Sequence, residues 1–323
     1  MTLPDTLCLN GYGFYEIKDK PTPQALHDYY AQRYYQENLT TYQAEYGPEE
    51  LEHIEGKLRL RHHVVEQLRS TDRASAMPVP SSETVGEEVA APAPAPTGNP
   101  GTGRFLDIGC GEGWALDYFQ RQGWDVLGLD FSSYSLAQFH PSLQERLRTG
   151  DLYEGVQQLA DDGQQFDVLW LDNVLEHVLD PAALLRLCRT LIKPTGVLMV
   201  DVPNDFSALQ QHLLATGKID RPFWVVLPDH LSYFNQTGLR TLAAATSWHV
   251  AKVLADQPID LNLLNPSTNY VMNREAGKGA HLARMEQDNL LLRTASLAAV
   301  AAYYEGLAGV ELGRSIVAFL QPL

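Results

Sequence analysis

The stretch RFLDIGCGEGWALDYFQRQGWDVLGLDFS, residues 104–132, limits the fold of this chain more than any other. An apolar run passes through Asp107 and breaks into alternate glycines, Gly109, Gly111 and Gly113. A helical stretch follows, and a second apolar run closes on Asp130. Two apolar runs joined through a helix predict parallel strands with a right-handed crossover. The first strand-to-helix turn of such a unit lies at the carboxyl edge of the sheet, where ligands bind. Glycines there let the backbone approach a ligand with no Cβ in the way. The spacing is not that of a dinucleotide loop: counting G-x-G-x-x-G from Gly109 and Gly111 puts Trp114 where a third glycine would pack close against the strand, which argues against NAD.

The alternation continues beyond this unit. Further strand candidates lie at 166–172 and 196–202, with helical stretches such as PAALLRLCRTLI between them, and this predicts an open α/β sheet. At 323 residues, 45% hydrophobic and 20% charged, the chain can bury a large core, which excludes disorder throughout. A formal charge of −16 repels nucleic-acid backbones and acidic membrane surfaces. No run approaches the roughly 20 apolar residues of a membrane-spanning helix, and MTLPDTLCLN lacks the basic start and apolar core of a secretory signal. A cytoplasmic protein with no nucleic-acid partner and no membrane insertion is expected. Cys8, Cys110 and Cys188 are scattered with no C-x-x-C spacing, and His62 and His63 point apart on a helix. No metal site is therefore expected, and the two histidines read as solvated.

Ahead of the sheet, Thr22 and Pro23 open a helical stretch that spaces Leu26, Tyr29, Tyr30 and Tyr34 on one face, and a second helix is expected from Pro48 to Leu68. Residues 1–70 thus read as an N-terminal helical segment whose tyrosines serve either as core or as lid. Residues 71–103 are rich in proline and alanine with little to bury, the composition of a flexible linker. The main domain is expected over 104–323, with an acceptor-side insertion at 206–236, a helical insertion at 258–308 and a last strand at 313–321.

The D-x-G-x-G-x-G spacing from Asp107, the acid Asp130 one unit later, TGDLYE, and the block FDVLWLDNVLEHVLDPAALLRLCRTLIKPTGVLMVDVPN together resemble the class I S-adenosylmethionine-dependent methyltransferases over about residues 104–256. The resemblance implies a Rossmann-like α/β sheet of seven strands in the order 3-2-1-4-5-7-6, the seventh antiparallel beside the fifth, and S-adenosyl-L-methionine as cofactor. It implies that Asp107, Gly109, Cys110, Gly111 and Gly113 form the cofactor loop. Asp130, followed by Phe131, would accept hydrogen bonds from the ribose hydroxyls, Asp151 and Leu152 would contact the adenine, and Asn173 would line the methionine part. Cys110 reads as loop packing rather than as a nucleophile.

For the acceptor, LEHVLDP resembles the ubiquinone-biosynthesis-like and sugar-methylating branches. DHLSYF resembles the E-H-x-x-Y-F segment of bacterial sugar and polysaccharide methyltransferases, with Asp229 in place of glutamate. A small-molecule or glycan acceptor is implied. O-methylation of a nucleotide-linked or surface-glycan sugar is the first expectation, and of a quinone or secondary metabolite the second. A non-catalytic cofactor-binding or scaffold protein that keeps the fold without transferring anything is the alternative of another class, and a scaffold has no need of the intact glycines and Asp130. Methyl transfer is an in-line displacement at an activated carbon, so the protein aligns the acceptor and removes its proton. His230 is the candidate base, since an ordinary histidine is mostly neutral at cytoplasmic pH; packing among Trp224, Tyr233 and Phe234 is the competing role. His177 is the second catalytic candidate, read with Glu176 at the start of a helix, and Tyr233 and Asp229 are the substrate-facing candidates.

Overall fold

The computed structural model describes residues 4–29, 45–76 and 102–323. In chain order the elements are β1 (Leu7–Leu9), β2 (Tyr15–Ile17), α1 (Pro23–Tyr29), α2 (Pro48–Ala76), β3 (Arg104–Ile108), α3 (Trp114–Arg121) and β4 (Asp125–Asp130). Then come α4 (Tyr134–Phe139), β5 (Leu147–Thr149), α5 (Leu152–Asp161), β6 (Phe166–Asp172), α6 (Pro181–Leu191), β7 (Ile192–Pro203), α7 (Ala208–Ala215) and β8 (Ser232–Tyr233). The chain closes with α8 (Gln236–Ala245), β9 (Trp248–Ala255), α9 (Ala276–Thr294), α10 (Leu297–Gly309) and β10 (Ser315–Pro322).

Strands β5-β4-β3-β6-β7-β10-β9 form a seven-stranded sheet, which is the expected order 3-2-1-4-5-7-6. The first five run parallel, and β10 enters antiparallel between β7 and β9, with Ile316 opposite both Val202 and Ala255. Both faces of the sheet are covered, which is why its strands read as continuous apolar runs instead of alternating. Along β6, Leu169 and Leu171 face a layer built from α5, α6 and α8, while Val168 and Trp170 face α2, α3 and α10.

Ahead of the sheet the structure differs from expectation. Residues 1–70 are not purely helical: β1 and β2 form a hairpin, closed where Asn10 Oδ1 accepts from the Tyr12 N–H at 3.0 Å, and β8 extends it to a three-stranded sheet. Strands this short carry no readable alternation, although Asn10-Gly11 is a recognised turn signal. Helix α2 runs on to Ala76, so the first six residues of the expected linker continue a helix; the remainder of its proline-rich stretch, residues 77–101, lies outside the described residues, as do Tyr30 and Tyr34. His62 is not solvated. It sits largely buried against Tyr118, Phe119 and Trp124, with Nδ1 3.1 Å from the Tyr118 hydroxyl, because α2 packs across α3. Among the described residues, no helix is long and apolar enough to cross a membrane.

Candidate active site

The carboxyl ends of β3, β4 and β6, with Pro203 at the end of β7, open into one cavity of about 870 Å³. Ligand sites of open α/β sheets form at this edge, where the strand order reverses. Of the residues singled out from the sequence, Asp107, Gly109, Cys110, Gly111, Asp130, Phe131, Asp151, Leu152, Asn173, His177, Asp229 and His230 all line it. Gly113 does not line it; it caps the start of α3. Tyr233 does not line it either, which corrects its reading as a substrate-facing residue. As part of β8 it pairs with Tyr15 and is fully buried among Leu7, Trp224 and Leu231.

The loop after β3 shows why glycine is needed. Gly109 has φ +78°, and a Cβ there would lie 2.5 Å from Val174 Cγ2. At Gly111, with φ +51°, nothing lies within 4 Å of the Cβ position, so its backbone borders open space. Asp130 is buried with one oxygen accepting from the Gly111 N–H at 2.8 Å and the other from the Ser132 N–H at 3.0 Å. These bonds aim the carboxylate along the loop's edge of the cavity. Asp151 caps α5 by accepting from the Tyr153 and Glu154 N–H groups, so its place on the cavity wall follows from helix capping. Asn173 adopts φ +55°, a conformation asparagine tolerates, and donates its backbone N–H to the Asp201 carbonyl. Burial pushes the Cys110 thiol well up, in keeping with packing rather than nucleophilic chemistry.

On the opposite wall, residues 174–179 form a turn, and α6 starts only at Pro181 with Asp180 as its cap. Glu176 and His177 therefore do not begin a helix. They staple the acceptor-side segment instead: the Glu176 carbonyl accepts from the Leu231 and Ser232 N–H groups, and His177 Nδ1 lies 2.8 Å from the Asp229 carbonyl, to which it donates. This brings the rings of His177 and His230 edge to face at 4.9 Å between centroids. Burial, with the nearby His177 and Arg314, lowers the His230 pKa to about 3, so the ring is neutral but a weaker base than an ordinary histidine. Burial also lowers His177, and it holds the Glu176 carboxyl well above the usual range.

Two contributions from outside the glycine loop were not singled out from the sequence. Arg61 of α2 reaches under the cavity and pairs with Asp172 and Asp201 at the ends of β6 and β7. The readable signal was an arginine on the same stripe as Leu58, Val64 and Val65, all buried. Arg61→Ala leaves two facing carboxylates uncompensated, and a loss of about 3–5 kcal/mol is expected. A lowered Tm, recovered in part by adding Asp201→Asn, checks this. The second contribution covers the glycine loop. Glu112 accepts from the Tyr46 hydroxyl at 2.8 Å and from Trp114 Nε1 at 2.5 Å, so Trp114 turns outward against Tyr46 rather than inward against the strand.

A family model described as a methyltransferase domain matches residues 82–253. The ubiquinone biosynthesis O-methyltransferase of Rhodopseudomonas palustris (strain TIE-1) is 35% identical over 101 residues, 31% of this chain and 40% of that protein. The enzyme of the same name from Cereibacter sphaeroides is 38% identical over 103 residues, 31% of this chain and 41% of that protein. The chain thus spans about 40% of the length of these curated relatives. Among solved structures, a SAM dependent methyltransferase from Archaeoglobus fulgidus aligns with a TM-score of 0.42 and 17% identity, over 68% of this chain and 85% of that one. Because the family match takes in more than half of the residues and carries the glycine loop, Asp130 and the turn after β6, the chain belongs to the methyltransferase domain family.

Proposed function

We propose that this methyltransferase O-methylates a small hydroxylated ring compound of phenolic or quinol character, with His230 taking the hydroxyl proton. The observation that carries this reading is the composition of the cavity wall beside the two histidines. Val178 and Leu179 follow His177, Val226 begins the turn that ends at His230, and Pro23 and Leu26 complete an apolar face on the same cavity. An apolar wall with a few convergent polar groups suits a ring compound. A buried sugar needs a polar partner for each of its hydroxyls, and beside the histidines this wall offers, among the described residues, the carboxyls of Asp229 and Glu176 alone. The names of the two curated relatives point the same way.

The residues present fit the cofactor. S-adenosyl-L-methionine, when bound, supplies a methyl group activated by its sulfonium. Asp130 would hold the ribose, Phe131, Asp151 and Leu152 the adenine, and Gly109, Gly111 and Asn173 the methionine part. In Asp130→Ala the charge-assisted bonds to the ribose and the Gly111 tether are both lost. Calorimetry should show cofactor affinity lower by on the order of 10 to 10², and unchanged affinity would take Asp130 out of the binding site.

The acceptor class is tested by incubating the purified protein with methyl-labelled cofactor and panels of phenols, catechols and nucleotide-linked sugars. Label transferred to the hydroxylated aromatics is expected. Transfer to the sugars alone would overturn the proposal and restore the sugar reading of DHLSYF.

A further inference from the structure

Glu176 is buried beside the histidine pair. Its side chain is 1% exposed and its Oε2 has no hydrogen-bond partner; the buried Nδ1 of His230 has none either. Such orphaned atoms are costly in a folded protein and call for an explanation. Ligand atoms of Glu176, His177 and His230 lie within 4.8 Å of one another. His177 is already committed, since its Nδ1 donates to the Asp229 carbonyl and its Nε2 stands 3.8 Å from Glu176 Oε1. That leaves His230 as the ring of the pair with an unpartnered Nδ1, in the same cluster as a carboxyl with an unpartnered oxygen. The backbone keeps them together, because the Glu176 carbonyl holds Leu231 and Ser232, the residues immediately after His230.

We propose, resting on the methyl-transfer reading above, that Glu176 is the positioning partner of His230, accepting the ring's Nδ1–H and so turning the Nε2 lone pair toward the acceptor hydroxyl. With ligand atoms of the cluster within 4.8 Å of one another, a side-chain rotation or one bridging water suffices to bring the two orphaned atoms into hydrogen-bond contact. As the acceptor oxygen bonds to the methyl carbon, the C–S bond breaks with its electron pair staying on sulfur. The hydroxyl proton passes to His230 Nε2, and the imidazolium so formed lies beside the Glu176 carboxylate until the proton leaves to solvent.

The charges around the pair define its titration. Asp172, Asp201 and Asp205 face Glu176, with Arg61 answering the first two and Arg314 the third; His177 and Arg314 face His230. An ionised carboxylate within about 4–6 Å raises the basicity of an imidazole, so the pair titrates together and activity climbs with pH as Glu176 loses its proton.

The test uses the full chain bound to S-adenosylhomocysteine, so it needs no knowledge of the acceptor. Histidine-ring ¹⁵N NMR, with His230 assigned by its disappearance in His230→Asn, should show the Nδ1–H form with a bare Nε2 at pH 8. In Glu176→Gln the amide donates to Nδ1 and the ring should switch to the Nε2–H form. With any acceptor found, Glu176→Gln should lose on the order of 10²-fold in kcat at nearly constant KM, together with the rising limb of the pH profile. An Nε2–H tautomer in the unmutated protein overturns the proposal. So does a joint shift of the His177 and His230 rings when zinc is added to chelator-treated protein, which would make the cluster a metal site. Failure of the acceptor screen leaves the tautomer result standing, so the two readings fail separately.

Discussion

A chain ending before Gly313 is expected to be absent from the soluble fraction. The lost strand β10 is not a dispensable edge: it is hydrogen-bonded to β7 on one side and β9 on the other. Ile316, Val317, Ala318, Phe319 and Leu320 are all buried. At about 1.5–3 kcal/mol for each large apolar side chain withdrawn from water, their loss removes roughly 6–12 kcal/mol. That is comparable with the whole stability of a typical domain, about 5–15 kcal/mol. The truncation also leaves one edge of β7 unpaired, and an open apolar edge invites association with other chains. Soluble expression with a cooperative melt in the truncated chain would show that β7 and β9 do not need the strand between them.

His230→Asn is expected to lose on the order of 10² to 10⁴ in turnover while cofactor affinity stays nearly intact. Asparagine keeps part of the hydrogen bonding and bulk of the ring but cannot take the proton. Calorimetry with S-adenosylhomocysteine, alongside single-turnover methyl transfer to the acceptor found in the screen, separates the two effects. The packing role foreseen from the sequence predicts a different outcome, lower Tm with little change in turnover. His230 lines the cavity and its ring stands 6.1 Å from that of Tyr233, whereas Trp224, Tyr233 and Phe234 are fully buried and carry the packing themselves. Near-normal turnover would take His230 out of the proton's path and leave His177 or bulk water to receive it.

What could be read from the sequence was what local order determines. The glycine loop and Asp130 belong to one β-turn-α-β unit, and their spacing reflects the backbone geometry of that unit, so their place on one cavity wall, Gly113 excepted, was legible from the sequence. The sheet order followed from the resemblance carried by the same motifs. The acceptor side was misread where contacts join distant parts of the chain. Tyr233 read as a substrate-facing residue, but pairing with Tyr15, far upstream, draws residues 232–233 into a strand and buries the ring. The neutral state of His230 was foreseen, but its weakened basicity was not, because that comes from burial created by the folded wall. Arg61 lay outside every motif because its partners are the ends of strands more than a hundred residues away.

The central place of β10 also shapes how the protein comes to be made. At about 5–20 residues per second, some hundred residues separate the synthesis of β7 from that of its second neighbour, a wait of roughly 5–20 s. During that interval β3 to β7, with the glycine loop among them, can pair with one another as they leave the ribosome, while one flank of β7 stays bare. The half that carries the glycine loop is thus complete in sequence long before its sheet can close. The nascent chain needs shielding over that interval, and its yield should respond more to chaperone supply than that of a protein whose strands pair in the order in which they are synthesised.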